Sequence, residues 1–229
     1  MTAATRIRPN VKAICWDLYE TLVAADYAAI DEGRRAIGRR LGIRSSGLLD
    51  AFEATLPDRQ LGRFGGGERD FNAVLRVLGV GTGHTEAAWA VKEELSLWLR
   101  NVSPYDDALR SLSRLRKCGF KMALISNCTF QTRHLVDALG LTDSLDAVIL
   151  SCEVGSLKPE SEIFSSALEA LDCAPSSGLL VDDNPAFLHG GEAVGMVTLA
   201  MARPGHRPSK QHGYSTVTSV ANVADLLDC

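Results

Sequence analysis

Residues 15–23 read Cys-Trp-Asp-Leu-Tyr-Glu-Thr-Leu-Val, and the aspartate at 17 closes a mostly apolar run that begins at Val11, just after Pro9-Asn10. A run this short is no helix and has the character of a buried strand. An acid at its end is costly unless something there uses it. In a parallel sheet, ligands gather beyond the carboxyl ends of the strands, where strand order reverses. The question is whether the rest of the chain supplies such a sheet.

From residue 104 onward, strand and helix signals alternate with short connections, the mark of a parallel α/β sheet. Apolar runs at Lys121–Ile125, Ala147–Leu150, Leu179–Val181 and Met196–Ala200 read as buried strands, and Tyr214–Val217 as an edge strand. Between them lie helical patterns at Gln131–Leu139, Ser161–Leu171 and Pro185–Val194, with a last one at Ala221–Leu227. Ser103-Pro104-Tyr105-Asp106 reads as an N-cap and first turn, with Leu109, Leu112 and Leu115 at helical spacing and Gly119 as the stop. The segment 24–102 differs: helical stretches at Tyr27–Leu41, Leu48–Leu56, Arg69–Leu78 and Thr85–Leu99 are broken by Gly65-Gly66-Gly67 and by glycines 79, 81 and 83, with no strand among them. The expectation is an α/β fold in which 1–23 and 103–229 form a Rossmann-like parallel-sheet core, with 24–102 a helical insertion.

With 229 residues, 46% hydrophobic and 23% charged, and a net charge of −4, the chain can bury a core and has no basic excess to draw nucleic acid. No run approaches the roughly 18 apolar residues of a membrane span, and no apolar segment follows the arginines of the first ten residues. These features predict a cytoplasmic protein with no membrane partner. Cysteines 15, 118, 128, 152, 173 and 229 form no Cys-x-x-Cys pair, which predicts free thiols in a reducing compartment.

The polar residues at the predicted strand ends are Asp17 with Thr21, Ser126-Asn127, Lys158 in SCEVGSLKPE, and Asp182-Asp183-Asn184. Three carboxylates brought together repel and raise one another's pKa unless a cation balances them. Lys158 and a hard divalent ion such as Mg²⁺ are the simplest balance. An ionised Asp17 can then act as a nucleophile, with Lys158 and Ser126 holding charge on the group attacked. Asn184 before Pro185 also suits a helix N-cap.

The order DxxxT, a strand ending in Ser126-Asn127, EVGxxKP followed by Ile163-Phe164, and a strand ending in Asp182-Asp183 resembles the haloacid dehalogenase superfamily of phosphatases and dehalogenases. The resemblance covers about residues 11–23 and 104–200, and the insertion matches that superfamily's helical cap in position and helical character. It implies Asp17 as nucleophile, Thr21 and Ser126 as donors to the bound group, Asn127 beside them, Lys158 as charge stabiliser, and Mg²⁺ on Asp17, Asp182, Asp183 and the backbone carbonyl of Tyr19. The implied partner is a small, anionic substrate; Trp and Leu on the cap helices can supply a homodimer face.

Family phosphatases carry a second aspartate two residues after the nucleophile, to protonate the leaving alcohol; here that position is Tyr19. Haloacid dehalogenases resemble this chain there, since a halide needs no proton, but they lack the acidic pair and carry Asp and Tyr where this chain has Phe187 and Phe164. The acidic pair favours Mg²⁺ and a phosphoryl substrate. Three readings follow: a Mg²⁺-dependent phosphatase acting on a small phosphorylated metabolite through an aspartyl phosphate on Asp17, an L-2-haloacid dehalogenase-type hydrolase forming an Asp17 ester, or a catalytically degraded binding module. Glu20 reads as a side chain leaving the site on extended backbone, although the family has Gly there. Arg34, Arg35, Arg39 and Arg40 read as a solvated face, Trp89, Leu95 and Trp98 as a packed helical face, and Arg203–Pro208 as a mobile surface loop.

Overall fold

The computed structural model describes residues 10–44, 46–81, 83–205 and 213–229. Strands β1 (Ala13–Trp16), β4 (Lys121–Ser126), β5 (Ala147–Leu150), β6 (Gly178–Asp182), β7 (Val197–Met201) and β8 (Thr216–Val217) form one sheet in the order β5-β4-β1-β6-β7-β8, every pairing parallel. The chain builds outward from β1 on one side, then crosses to build on the other. Strand order therefore reverses around β1, which puts Asp17 at the switch point.

Side-chain alternation explains why these runs are apolar throughout. Ile14 and Trp16 share one face with Met122, Leu124, Leu179, Val181, Leu199 and Met201, while Ala13 and Cys15 share the other with Ala123, Ile125, Leu180 and Ala200. Both faces are covered, as parallel sheets require. Helices α5 (Ala108–Lys117), α6 (Gln131–Ala138) and α10 (Val220–Leu226) bring Leu112, Leu115, Leu135, Val136, Val220 and Val223 to the first face. Helices α8 (Ser161–Ala170) and α9 (Pro185–Val194) bring Ile163, Phe164, Leu168 and Leu188 to the second.

The insertion is formed by α1 (Tyr27–Arg40), α2 (Gly47–Gln60), α3 (Gly67–Val77) and α4 (His84–Asn101), which share a core of their own around Ile37, Leu48, Phe52, Phe71, Val74 and Leu75. Ile30 and Leu97, however, join the main core with Leu18, Leu22 and Val23, so apolar packing runs on from sheet to helices. Gly62 and Gly66 mark a second junction. Both have positive φ, and an added Cβ would lie 2.0 Å from the Cys152 carbonyl oxygen and 2.4 Å from the Phe130 ring, respectively. Only glycine permits so close an approach of α2's exit loop to the core. No helix among the described residues is long and apolar enough to cross a membrane.

Several expectations need correction. A two-stranded antiparallel ribbon, β2 (Val23–Ala25) with β3 (Val102–Pro104), stands at the two ends of the insertion where no strand was expected. Because residues 102–104 are extended there, Ser103 cannot cap a helix; α5 begins at Ala108 after Asp107, and its buried stripe is Ala108, Ser111, Leu112 and Leu115, leaving Leu109 exposed. Cys118 and Cys229 form a disulfide, against the expectation of free thiols. They lie 111 residues apart, and the packing of α10 against α5 brings their Cα atoms to 5.9 Å. Arg203 is buried rather than part of a mobile surface loop; residues 206–208 of that stretch, like the arginines at 6 and 8, lie outside the described residues.

Candidate active site

Asp17 follows β1 directly, its N–H donating to Val181 O at 2.9 Å, so the sheet ladder itself fixes the backbone of the aspartate. The Lys158 ammonium reaches it from the loop between the short helix α7 (Ser151–Val154) and α8, donating to Asp17 Oδ1 and to Asp182 Oδ2 at 2.6 Å each. All three groups are buried: Asp17 is 7% exposed, Lys158 2% and Asp182 0%. Burial works against the charged ammonium, but the two carboxylates outweigh it and hold the Lys158 pKa above its ordinary value. Asp182 is pushed up to about 7, first by burial and then by the charge of Asp17, with Lys158 and the Asn184 N–H pulling the other way. One oxygen each of Asp17, Asp182 and Asp183 lies within 4.8 Å of the others. A single ammonium does not balance three carboxylates, and hard oxygen donors so grouped fit a hard divalent cation.

Asn127, at the end of β4, holds the lysine loop in place: its Nδ2 donates to Lys158 O at 2.9 Å and its Oδ1 accepts from Lys158 N at 2.8 Å. Ser126 and Thr21 present hydroxyls that are buried without a hydrogen-bond partner among the described residues, although the weakly polar Cys128 thiol lies beside Ser126. Two orphan donors in one site are costly as they stand and suit a bound anion. The expected Asn184 cap is present, with Oδ1 accepting from Ala186 N at 3.0 Å.

The turn after Asp17 departs from the expectation of extended backbone. Glu20 has φ +57, the left-handed conformation that glycine adopts most easily, and its Oε2 accepts from the Tyr105 hydroxyl at 2.9 Å. Arg203 secures the same turn: Nε and Nη2 donate to Thr21 O at 2.9 and 2.6 Å, and Nη1 to Asp107 Oδ1 at 2.6 Å. Tyr19 turns the other way, its hydroxyl 3.1 Å from Thr132 Oγ1 and its ring edge-on to Trp98 at 5.6 Å. Burial raises the Tyr19 pKa further above the phenol range, so at neutral pH it remains a neutral phenol.

Tyr19 and Asn127 also form one wall of a cavity of about 520 Å³ whose far wall comes from α1, α2 and α4. Arg34 and Trp98 line it; Trp98 also packs against the main core as expected, whereas Arg34 departs from the reading of a solvated face. Arg34 is turned inward onto buried Glu94, Nε and Nη2 donating to Oε1 at 2.9 and 2.6 Å, while Arg35 and Arg39 pair with Glu32 at the surface as expected. Trp98 donates to the same Glu94 oxygen at 2.9 Å. Phe187 places its ring 4.8 Å from Lys158 Nζ, and Phe164 is wholly buried in the core.

The family model for haloacid dehalogenase-like hydrolases matches residues 11–195. A glyceraldehyde 3-phosphate phosphatase of Methanopyrus kandleri is 28% identical over 204 residues, 84% of each chain. A ribulose-1,5-bisphosphate 5-phosphatase of Halopiger xanaduensis is 36% identical, but over 106 residues that span only 44% of its length. Among solved structures, a phosphatase of Thermococcus onnurineus superposes with TM-score 0.70 at 21% identity, covering 95% of this chain and 98% of that one. The L-2-haloacid dehalogenase of Xanthobacter autotrophicus with covalently bound chloropropionic acid superposes with TM-score 0.65 at 20% identity and the same coverage. A Bacteroides thetaiotaomicron enzyme in complex with magnesium and inorganic phosphate gives 0.69 at 19%, covering 87% and 98%. At these identities the structures share the fold alone; together with the family match over most of its length, they show that the chain is a hydrolase of the haloacid dehalogenase-like family.

Proposed function

We propose that the protein is a phosphatase acting on a small phosphorylated molecule, with Asp17 as nucleophile and the segment 24–102 as a helical cap over the site. One observation carries this reading: the Asp17, Asp182 and Asp183 carboxylates are gathered at the carboxyl ends of β1 and β6, where an alkyl halide has no use for the acidic pair. The similarity to phosphatases over most of the chain supports it.

In this mechanism an Asp17 oxygen attacks phosphorus, the phosphorus–oxygen bond to the alcohol breaks with its electron pair leaving on oxygen, and water then cleaves the aspartyl phosphate to return Asp17 and phosphate. Lys158 and the unpartnered hydroxyls of Thr21 and Ser126 hold the phosphoryl oxygens as charge develops. Asn127 acts one step removed, by bracketing the Lys158 backbone. Asp17, Asp182, Asp183 and the carbonyl of Tyr19 would hold Mg²⁺, which supplies charge neutralisation at the phosphoryl group. Tyr19 is a poor substitute for a carboxylic acid, being buried, bonded to Thr132 and held above the ordinary phenol pKa. General acid help of about 10²–10⁴-fold is thereby forgone for leaving groups that need a proton.

The test uses p-nitrophenyl phosphate, whose leaving group departs without protonation. Mg²⁺-dependent release of nitrophenol that disappears in Asp17→Asn is expected; turnover surviving that substitution removes Asp17 from the role. Tyr19 itself favours a second reading, carbon–halogen cleavage through an Asp17 ester. Halide release from L-2-chloropropionate in EDTA would establish it, and its absence leaves the phosphatase reading alone.

A further inference from the structure

The wall of the cavity opposite Tyr19 and Asn127 holds a buried arginine that makes no direct ion pair among the described residues. Arg59, near the end of α2, is 3% exposed and lines that cavity. Its Nε donates to Thr55 Oγ1 at 3.1 Å and its Nη2 to Phe52 O at 2.6 Å, while its Nη1 makes no hydrogen bond among the described residues. Asp70 and Glu94 act on its charge from nearby, yet neither forms an ion pair with it: Glu94 Oε1 accepts from Arg34 and Trp98 while its Oε2 makes no hydrogen bond among the described residues, and Asp70 Oδ1 accepts from Gly66 N at 3.0 Å. Burial and the neighbouring Arg34 charge lower its pKa to about 10, which leaves it protonated at neutral pH.

Both guanidinium groups lie against the Phe52 ring, Arg34 4.4 Å and Arg59 4.9 Å from its centroid. The aromatic ring packs against both in one wall of the cavity, and Arg34 is ion-paired with Glu94 while Arg59 forms no ion pair among the described residues. The acids that also line the cavity are placed differently. Asp50 and Glu53 are exposed and Asp31 keeps 45% of its side-chain surface, whereas Arg59 is buried with one edge of its guanidinium lacking a hydrogen-bond partner among the described residues. A buried guanidinium that makes no direct ion pair and keeps one edge without a hydrogen-bond partner gains when an anion meets that edge. Its planar fork suits a carboxylate or a phosphate.

We propose that Arg59, flanked by Arg34 and held by Phe52, forms a subsite for a second anionic group, so that preferred substrates are small phosphate esters carrying a carboxylate or a second phosphate. This rests on the phosphatase reading, and the experiment separates the two. Dissociation constants are measured on Asp17→Asn protein, which needs no turnover, for glycerol 3-phosphate, 3-phosphoglycerate and glycerol 1,3-bisphosphate. The first has a neutral tail, the second a carboxylate, the third a phosphate. A charge-assisted hydrogen bond made out of water predicts that at least one charged tail binds about 10- to 100-fold tighter than the neutral one. Adding Arg59→Gln should bring that ratio near one, with Arg59→Lys between. Equal affinities for all three esters before any change at Arg59 overturn the proposal even where Arg59→Gln fails to fold; so does a preference that survives Arg59→Gln. Failure of the wild type to turn over p-nitrophenyl phosphate, with the tail preference intact, overturns the phosphatase reading and leaves the subsite standing.

Discussion

Replacing Arg203 by Met removes a clamp whose cost can be worked from its contacts. The guanidinium is 4% exposed, donates twice to the Thr21 carbonyl and once to Asp107, and stacks 4.0 Å from the Tyr105 ring. Met preserves much of the apolar stem, so the loss is mainly polar. Hydrogen bonds to a charged group are worth about 1.5–3 kcal/mol each, and an acceptor left buried and unpaired costs about 1–3 kcal/mol. These overlap, because the Thr21 carbonyl receives two of the three bonds. Asp107 is not stranded, since its Oδ2 also accepts from Val220 N at 2.6 Å and Ala221 N at 3.3 Å. A net loss of about 3–5 kcal/mol follows, the scale of breaking a buried ion pair. At a urea dependence near 3 kcal/mol/M, the midpoint of unfolding should fall by about 1–1.7 M with the slope unchanged. The effect on catalysis is separate: Thr21 is the residue released, so kcat for p-nitrophenyl phosphate should fall further than the folded fraction does. Arg203→Lys, a single donor group where a fork is needed, should recover part of the stability and less of kcat. A midpoint shift below about 0.3 M, or a kcat that simply tracks the folded fraction, would refute the clamp.

Three shorter predictions follow from the same contacts. Asp182 has a folded pKa raised to about 7, so without metal the folded protein binds its proton more tightly than the unfolded chain; stability should fall as pH rises from about 4 to 7, and Mg²⁺ should offset the fall, a thermal-melt comparison in EDTA and Mg²⁺ being the check. Asn127→Ala should leave folding nearly intact and lower kcat more than it raises KM, since Lys158 loses both bonds that bracket its backbone; an unchanged kcat would sink its positioning role. Gly62→Ala should destabilise by more than about 2 kcal/mol, because the added Cβ meets the Cys152 carbonyl oxygen at positive φ, whereas Gly42→Ala, with open space at similar φ, should cost less.

What could be read from the sequence divides along a physical line. Asp17, Ser126, Asn127, Lys158 and Asp182 were legible because each stands at the end of its own strand or in a short loop beside one, and a parallel sheet assembles such ends at one edge whatever the loops do. Contacts that depend on how distant pieces dock left no local mark. Thr21 and Arg203 are 182 residues apart, the strands of the small ribbon are three residues each and far apart in sequence, and the Cys118–Cys229 bond spans 111 residues. Arg34 shows the limit within one helix. It shares its cluster with Arg35, Arg39 and Arg40, and helical periodicity alone could not tell which of the four would meet a buried Glu94 sixty positions on.

Tyr19 and Glu20 bring these two kinds of information together. Each breaks a family pattern that the neighbouring residues keep, and each is compensated by a residue from elsewhere: Thr132 and Trp98 for Tyr19, Tyr105 for Glu20. A degraded site would be expected to leave such replacements unsupported, with loosened backbone and unpartnered polar atoms around them. Here the left-handed turn keeps its shape with a side chain in the place of glycine, and Arg203 grips the next residue. Among the described residues, the buried hydroxyls left without partners are those of Thr21 and Ser126, to which the proposed mechanism gives the bound phosphoryl group, rather than that of Tyr19. The pattern fits a site tuned to a different leaving group better than a site abandoned, since a binding module has no reason to keep Lys158 held between two buried carboxylates. Restoring an acid by Tyr19→Asp then becomes informative: it should raise the rate for alkyl phosphates more than for p-nitrophenyl phosphate, because only the former need the proton. An equal effect on both would mean that Tyr19 shapes the cavity and has no bearing on the leaving group.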